Sequence, residues 1–109
     1  MKLNYLNTSD SKEFFNALMA LENYTECKKF LRDLLTESEL KEFINRWKVA
    51  RMLESEIPYE QITRETGMSS TTIARIQKWL NGNLGGYKLM LKKLNKTKKI
   101  NHHSTLLAA

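Results

Sequence analysis

Apolar residues recur three and four positions apart along most of the chain, which is the spacing of an amphipathic helix. Only one proline and four glycines interrupt that spacing, so the pattern favours an all-α fold. Residues 1–94 are expected to form one helical domain, and residues 95–109 a basic, disordered tail. Six helices are predicted, over about Ser11–Asn23, Glu26–Leu35, Glu37–Ser55, Tyr59–Thr66, Ser70–Asn81 and Tyr87–Leu94.

Polar residues at helix-start positions support these boundaries. Asp10 with Glu13, and Thr36 with Glu39, have the spacing of a capping box, in which two side chains satisfy free backbone N–H groups. Thr25 is the expected N-cap of the second helix, because a threonine hydroxyl can accept a hydrogen bond from the first helical turn.

The segment Tyr59–Asn81 is typical of a helix-turn-helix. Gly67 lies between two short helices, where the chain must turn sharply and glycine can adopt a positive φ without steric cost. Ser69 or Ser70 is expected to cap the second helix. A small core shared by the two helices would contain Ile62, Met68, Ile73, Ile76 and Leu80.

Closing that core would leave the opposite face of the second helix in solvent. The outward residues are Ser70, Thr71, Ala74, Arg75 and Lys78, which are small or hydrogen-bonding near the helix start and basic further along. A recognition helix that enters the major groove of DNA by its N-terminal end has this layout.

The alternative is an ordinary αα-hairpin in a helical bundle. Two residues favour it, because Thr63 stands where alanine is common in a helix-turn-helix, and Thr66 stands where an apolar residue is common.

The charge of the chain changes sign at the predicted turn. Residues 1–65 hold ten basic and all twelve acidic residues, whereas residues 66–109 hold eight basic residues and no acidic one. This asymmetry suggests a polyanionic partner such as double-stranded DNA. The alternative is a lysine-rich segment that only improves solubility.

The first three predicted helices carry wide apolar faces, and a chain this short has little with which to cover them. Exposed apolar faces of this size normally indicate association, so a homodimer with two-fold symmetry is predicted. The alternative is a compact monomer that packs these faces together. The faces comprise Phe14, Leu18 and Leu21, then Cys27, Phe30, Leu31 and Leu34, then Leu40, Phe43, Ile44, Trp47, Ala50 and Leu53.

Several classes of site and location are not expected. The single cysteine, Cys27, allows no intrachain disulfide and is expected to be a buried, inert thiol. His102 and His103 have no Cys or acidic residue at ligand spacing, so no zinc site is predicted. No Gly-rich phosphate loop, nucleophile elbow or HExxH motif occurs, so neither a cofactor nor enzyme activity is predicted. Neither a signal peptide nor a membrane-spanning run is recognisable, so the expected location is the cytoplasm, with no membrane partner.

The segment Leu34–Leu80 resembles the trp repressor family, and within it the trp-repressor-like proteins of the YerC/YecD type. The resemblance extends over about residues 8–95 and implies a six-helix, intertwined dimer with a helix-turn-helix on each subunit. Its motifs are specific together and weak singly: LLT at 34–36, NRW at 45–47, ETG at 65–67, TTIAR at 71–75 and GGY at 85–87.

The resemblance also implies an effector pocket, because two arginines enclose the indole of bound tryptophan in true trp repressors. Arg46 and Arg75 match those arginines, and Thr36 matches a pocket residue. Two positions depart from the pattern, since Ile76 stands where the repressors have glycine and Trp79 where they have a small serine. Arg46 and Arg75 are therefore either effector ligands or a surface charge and a phosphate contact.

These features favour a homodimeric, sequence-specific DNA-binding regulator, acting as a repressor. The expected DNA-binding residues are Ser69, Ser70, Thr71, Thr72, Ala74, Arg75 and Lys78, with Ser70 and Thr71 near base edges and Thr72, Arg75 and Lys78 on phosphates. One alternative is a helical module that binds a protein through the same basic face. Another is a tryptophan-responsive repressor that uses Thr36, Arg46, Arg75 and Trp79.

Overall fold

The computed structural model describes residues 4–82 and 84–96, and every regular element among these residues is helical. The all-α prediction is therefore confirmed. A 3-10 turn at Asn4–Asn7 precedes the first α-helix. The α-helices that follow are α1 (Ser9–Met19), α2 (Tyr24–Leu34), α3 (Glu37–Glu54), α4 (Tyr59–Thr66) and α5 (Ser70–Leu80), and residues 86–96 form α6.

The first two helices begin earlier than predicted because other residues cap them. The Thr8 hydroxyl accepts the backbone N–H of Ser11 at 3.1 Å, so Thr8, and not Asp10, caps the start of α1. The Asn23 side chain accepts the N–H of Glu26 at 3.0 Å and caps α2, which displaces the predicted cap at Thr25. Asn23 is available for this bond because α1 ends at Met19.

The capping box predicted at the start of α3 is present. The N–H of Glu39 donates to the Thr36 hydroxyl at 3.1 Å, and the N–H of Thr36 donates to the Glu39 carboxylate at 2.9 Å. The bond from the Thr36 N–H favours the ionised carboxylate and is the larger cause of the lowered pKa of Glu39, and a bond from the Thr36 side chain lowers that pKa further. The helix ends at Glu54, one residue before the predicted boundary.

The last helix is longer than the pattern predicted. It extends over residues 86–96, so residues 95 and 96, which were expected to open the tail, are helical. Tyr87 at its start stacks on Trp47 of α3, with ring centroids 6.3 Å apart and an interplanar angle of 18°. The rest of the predicted tail, residues 97–109, lies outside the described residues.

The chain divides into two compact units, one up to Lys41 and one from Glu42. The second unit has a core built from the C-terminal half of α3 with α4, α5 and α6. The predicted apolar stripe of α3 is only partly in this core, because Phe43 and Ile44 are exposed. The buried residues are Val49, Ala50, Met52, Leu53, Ile62, Ile73, Ile76, Leu80 and Leu91.

The first unit has no buried residue among those described. The rings of Phe14 and Phe15 lie side by side, 5.7 Å apart, yet both are exposed. Cys27 is half-buried, so the prediction of a fully buried thiol is wrong. In neither unit does the described chain contain a helix both long and apolar enough to cross a bilayer.

Candidate nucleic-acid interface

The turn between α4 and α5 has the geometry that the sequence predicted. Gly67 ends α4 in the left-handed region, with φ of 74°, and its N–H donates to the carbonyl of Thr63 at 2.8 Å. A side chain at this position would be strained by that positive φ, because only glycine adopts it without steric cost. Gly67 therefore sets the angle at which the chain enters α5.

The hydrogen bonds of Thr66 account for a polar residue at a position that is usually apolar in a helix-turn-helix. Its hydroxyl donates to the carbonyl of Ile62 at 2.7 Å and accepts the N–H of Met68 at 3.1 Å. The Asn45 side-chain amide, on α3, donates to the carbonyl of Thr66 at 3.2 Å. The bonds to the N–H of Met68 and the carbonyl of Thr66 satisfy backbone groups that the end of α4 leaves without helical partners, while the bond to Ile62 orients the Thr66 hydroxyl.

Asn45 and Thr66 support the turn of the helix-turn-helix, and neither is among the residues expected from the sequence to form the site. The polar residue at an apolar position was a visible clue to Thr66. No comparable clue pointed to Asn45, because its partner lies 21 residues away along the chain.

Buried isoleucines fix the rotation of α5 about its own axis. Ile73 and Ile76 are fully buried, and Leu80 is nearly so. They pack in one cluster with Ile62 of α4 and Val49 of α3. Because side chains follow one another at about 100° around a helix, burial of this stripe determines which residues of α5 face solvent.

The exposed side of α5 carries the residues predicted to contact DNA. Ser70, Thr71, Ala74, Arg75 and Lys78 are all exposed. Ser69 and Thr72 are committed to the helix cap, since the Ser69 hydroxyl accepts the N–H of Thr72 at 3.2 Å and bonds its hydroxyl at 3.0 Å. The outward side chains form no hydrogen bond or ion pair with any other described residue.

The cations on this face are not neutralised from within the described chain. The two ion pairs found there are Glu37 with Lys41 and Glu42 with Arg46, both on α3. No acidic residue follows Glu65 in the sequence. Arg75 and Lys78 thus present an uncompensated positive charge beside small and hydroxyl side chains.

The four residues of the implied effector pocket differ in their contacts and in their exposure to solvent. Thr36 belongs to the first unit, where it caps α3. The Arg46 guanidinium lies 3.0 Å from the Glu42 carboxylate and 5.8 Å from the centre of the Phe43 ring. Burial raises the pKa of Tyr87, and the charge of Arg46 opposes that shift.

Trp79, the last of these residues, lies on the surface of α5 and is 45% exposed. It is therefore not a core residue of the second unit. Arg75 precedes Trp79 by one helical turn, but the two side chains form no cation–π contact. Such contacts among the described residues join Arg46 to Phe43 and Lys28 to Tyr24.

Metal ligands are not grouped anywhere in the described chain, because no three His, Cys, Asp or Glu side chains lie close enough together to hold an ion. His102 and His103 lie outside the described residues.

Comparison with known proteins points to one family. The profile of the Trp repressor protein family matches residues 9–95. The chain is 33% identical over 97 residues to the uncharacterised protein YerC of Bacillus subtilis (strain 168), covering 89% of this chain and 93% of YerC.

Two crystal structures have the same fold. A TrpR-like protein from Eubacterium eligens ATCC 27750 is 33% identical with a TM-score of 0.79, covering 84% of this chain and 95% of that one. A candidate Trp repressor from Staphylococcus aureus is also 33% identical, with a TM-score of 0.80, covering 87% and 95%.

The bonds of Thr66 predict a measurable contribution to stability. Thr66→Val keeps the shape of the side chain but leaves the part-buried N–H of Met68 without its acceptor, so we expect the free energy of unfolding to fall by about 1–3 kcal/mol. Chemical denaturation followed by circular dichroism measures this. Thr63→Val is the matched control, since Thr63 is exposed on the same helix, and equal losses in both variants would contradict the assignment.

Proposed function

Because this chain belongs to the Trp repressor protein family, a regulatory DNA-binding family and not a family of enzymes, we propose that it is a sequence-specific repressor of transcription that acts on cytoplasmic DNA as a homodimer. The observation that carries the proposal is the outer face of α5. Buried isoleucines orient this face, no acidic residue lies on it, and its small and basic side chains form no bond with any other described residue.

The residues of this face divide by reach and chemistry. Ser70 and Thr71 lie in the first turn of α5, the part of a recognition helix that approaches base edges. Ala74 follows one turn later and can contact only an apolar group such as a thymine methyl. Arg75 and Lys78 have the length and charge to reach phosphates, while Ser69 and Thr72 present the capped helix start to the backbone.

The homodimer is proposed because the first unit has no buried core among its described residues. Two helices of 11 residues each, without a buried residue between them, cannot stabilise themselves, because short helices in water depend on tertiary packing. The apolar faces of α1 and α2 can be covered by the same faces of a second copy of this chain. Two recognition helices about a two-fold axis would then read half-sites about 34–36 Å apart.

We further propose that DNA binding does not require tryptophan. Ile76 is fully buried at a position where the repressors have glycine, and the bulky Trp79 stands where they have serine. The Arg46 guanidinium already has the Glu42 carboxylate as its partner. Bound tryptophan would have to displace the side chains of Ile76 and Trp79 and also break the ion pair of Arg46 with Glu42.

The DNA proposal predicts two kinds of loss. Lys78→Ala should weaken binding to all duplexes similarly and reduce the slope of log affinity against log salt by about 1, because one phosphate contact is lost. Thr71→Ala should instead change the preference among sequences by about 1–3 kcal/mol at one base pair. Binding to a library of duplexes, measured by fluorescence anisotropy at several salt concentrations, tests both.

Lys12→Ala on α1 is the charge-matched control and should change neither quantity. Salt-independent affinity, or an equal affinity for every duplex in the library, would contradict the regulator. Binding of an acidic protein in place of DNA would instead favour an interaction module.

The dimer predicts a concentration-dependent thermal midpoint, because an obligate dimer has no stable folded monomer. Phe30→Ser should lower both the midpoint and the dimer fraction, whereas Lys29→Ser, at the adjacent exposed position of α2, should preserve them. Light scattering with thermal unfolding at several protein concentrations measures these quantities. A folded monomer of 12.8 kDa at micromolar concentration would exclude the arrangement.

The effector proposal predicts no heat of binding when millimolar L-tryptophan is titrated into the protein. Trp79→Ser, which restores the small side chain of the repressors, is the companion variant in which binding is more accessible. A saturable heat at one site per wild-type chain that disappears in Arg75→Ala would show that the protein senses tryptophan after all.

A further inference from the structure

Helix α6 presents three chemically different faces. Its inner face carries Leu91, which is buried, and Tyr87, which packs against the same core. A second face carries Met90 and Leu94, which are apolar and exposed. The third, which we call the lysine face, consists of Lys88, Lys92 and Lys96, all exposed and spaced four residues apart on the same side of the helix.

The lysine face by itself destabilises α6. Like charges four residues apart on a helix repel one another, and α6 contains no acidic residue to offset that repulsion. None of these three lysines forms an ion pair or hydrogen bond with another described residue. A regular spacing of unneutralised cations is therefore not explained by the fold.

The position of α6 ties this face to the helix-turn-helix. Leu91 lies in one core cluster with Ile76 and Leu80 of α5, so α6 and the recognition helix belong to the same packed unit. Lys88 and Lys96 are eight residues apart, so the lysine face extends over about 12 Å of helix. That length corresponds to about three or four phosphates of one DNA strand at 3.4 Å each.

We propose that the lysine face binds the phosphate backbone of duplex DNA beyond the base pairs that α5 reads. This inference rests on the proposed function and adds a second contact surface to it. The contact involves no base edge, so it contributes affinity and salt dependence but no sequence preference. It also accounts for the unneutralised lysines, because the repulsion within α6 is relieved when phosphates lie against it.

The test replaces the lysine face by Lys88→Gln, Lys92→Gln and Lys96→Gln together. Binding to a random-sequence duplex of about 40 base pairs is measured by fluorescence anisotropy across a salt series, and the slope of log affinity against log salt should fall by about 2 to 3. The control carries Lys12→Gln, Lys29→Gln and Lys48→Gln, an equal change in net charge at exposed positions on α1, α2 and α3, and should retain the wild-type slope.

Thermal unfolding of the same proteins separates a lost contact from a lost fold. Removing like charges from α6 should leave the thermal midpoint at low salt unchanged or higher, so weaker binding with an intact midpoint supports the contact. A wild-type slope in the lysine-face variant, or the same reduction in the control, would overturn the inference while the proposed function stands. If the wild-type protein does not bind the duplex at all, the proposed function fails, and the inference fails with it.

Discussion

The burial of Ile73 and Ile76 is the constraint on which the rest of the second unit depends. These two side chains, with Leu80, form the only apolar stripe of α5, and they are the part of the helix that Ile62 and Val49 contact. Once this stripe is in the core, the rotation of α5 is fixed, and so is the set of side chains it presents to solvent. The chemistry of that outer face is thus a consequence of hydrophobic packing on the opposite side.

Hydrogen bonds at the turn between α4 and α5 add to the effect of the apolar packing. Gly67 allows the sharp turn, while the hydroxyl of Thr66 and the amide of Asn45 satisfy the backbone around it. A buried or half-buried N–H without a partner would destabilise the turn, so these side chains keep α4 and α5 in a defined relation. The capping bond from Ser69 then fixes where α5 begins, and therefore which residues form its exposed first turn.

The two units divide the properties of the chain between them. The apolar faces of the first unit are at most half-buried, while the second unit has its own core and all of the basic residues that follow the turn. In the proposed dimer, the first unit would provide association and the second would provide contact with DNA. The four-residue spacing of lysines on α6 fits this division, because it places charge on the unit that already carries the recognition helix.

The sequence alone determined the elements and their type. Helical spacing of apolar residues predicted six helices, the glycine predicted the turn at 67, and the box of Thr36 and Glu39 predicted the start of α3. These features are local, since they depend on residues within one or two helical turns of each other. The motifs in the chain also pointed to the correct family.

Only the tertiary structure decided which apolar and polar residues of those helices are covered. The same helical spacing describes Ala50, which is buried, and Ile44, which is 61% exposed, because burial depends on whether another element packs there. The bond between Asn45 and Thr66 joins residues far apart in the chain, and periodicity carries no information about such pairs. The exposure of Trp79 was likewise undetermined by the sequence, since it depends on the packing around α5. The pair of Glu42 with Arg46 is different, because residues four apart on one helix are local neighbours.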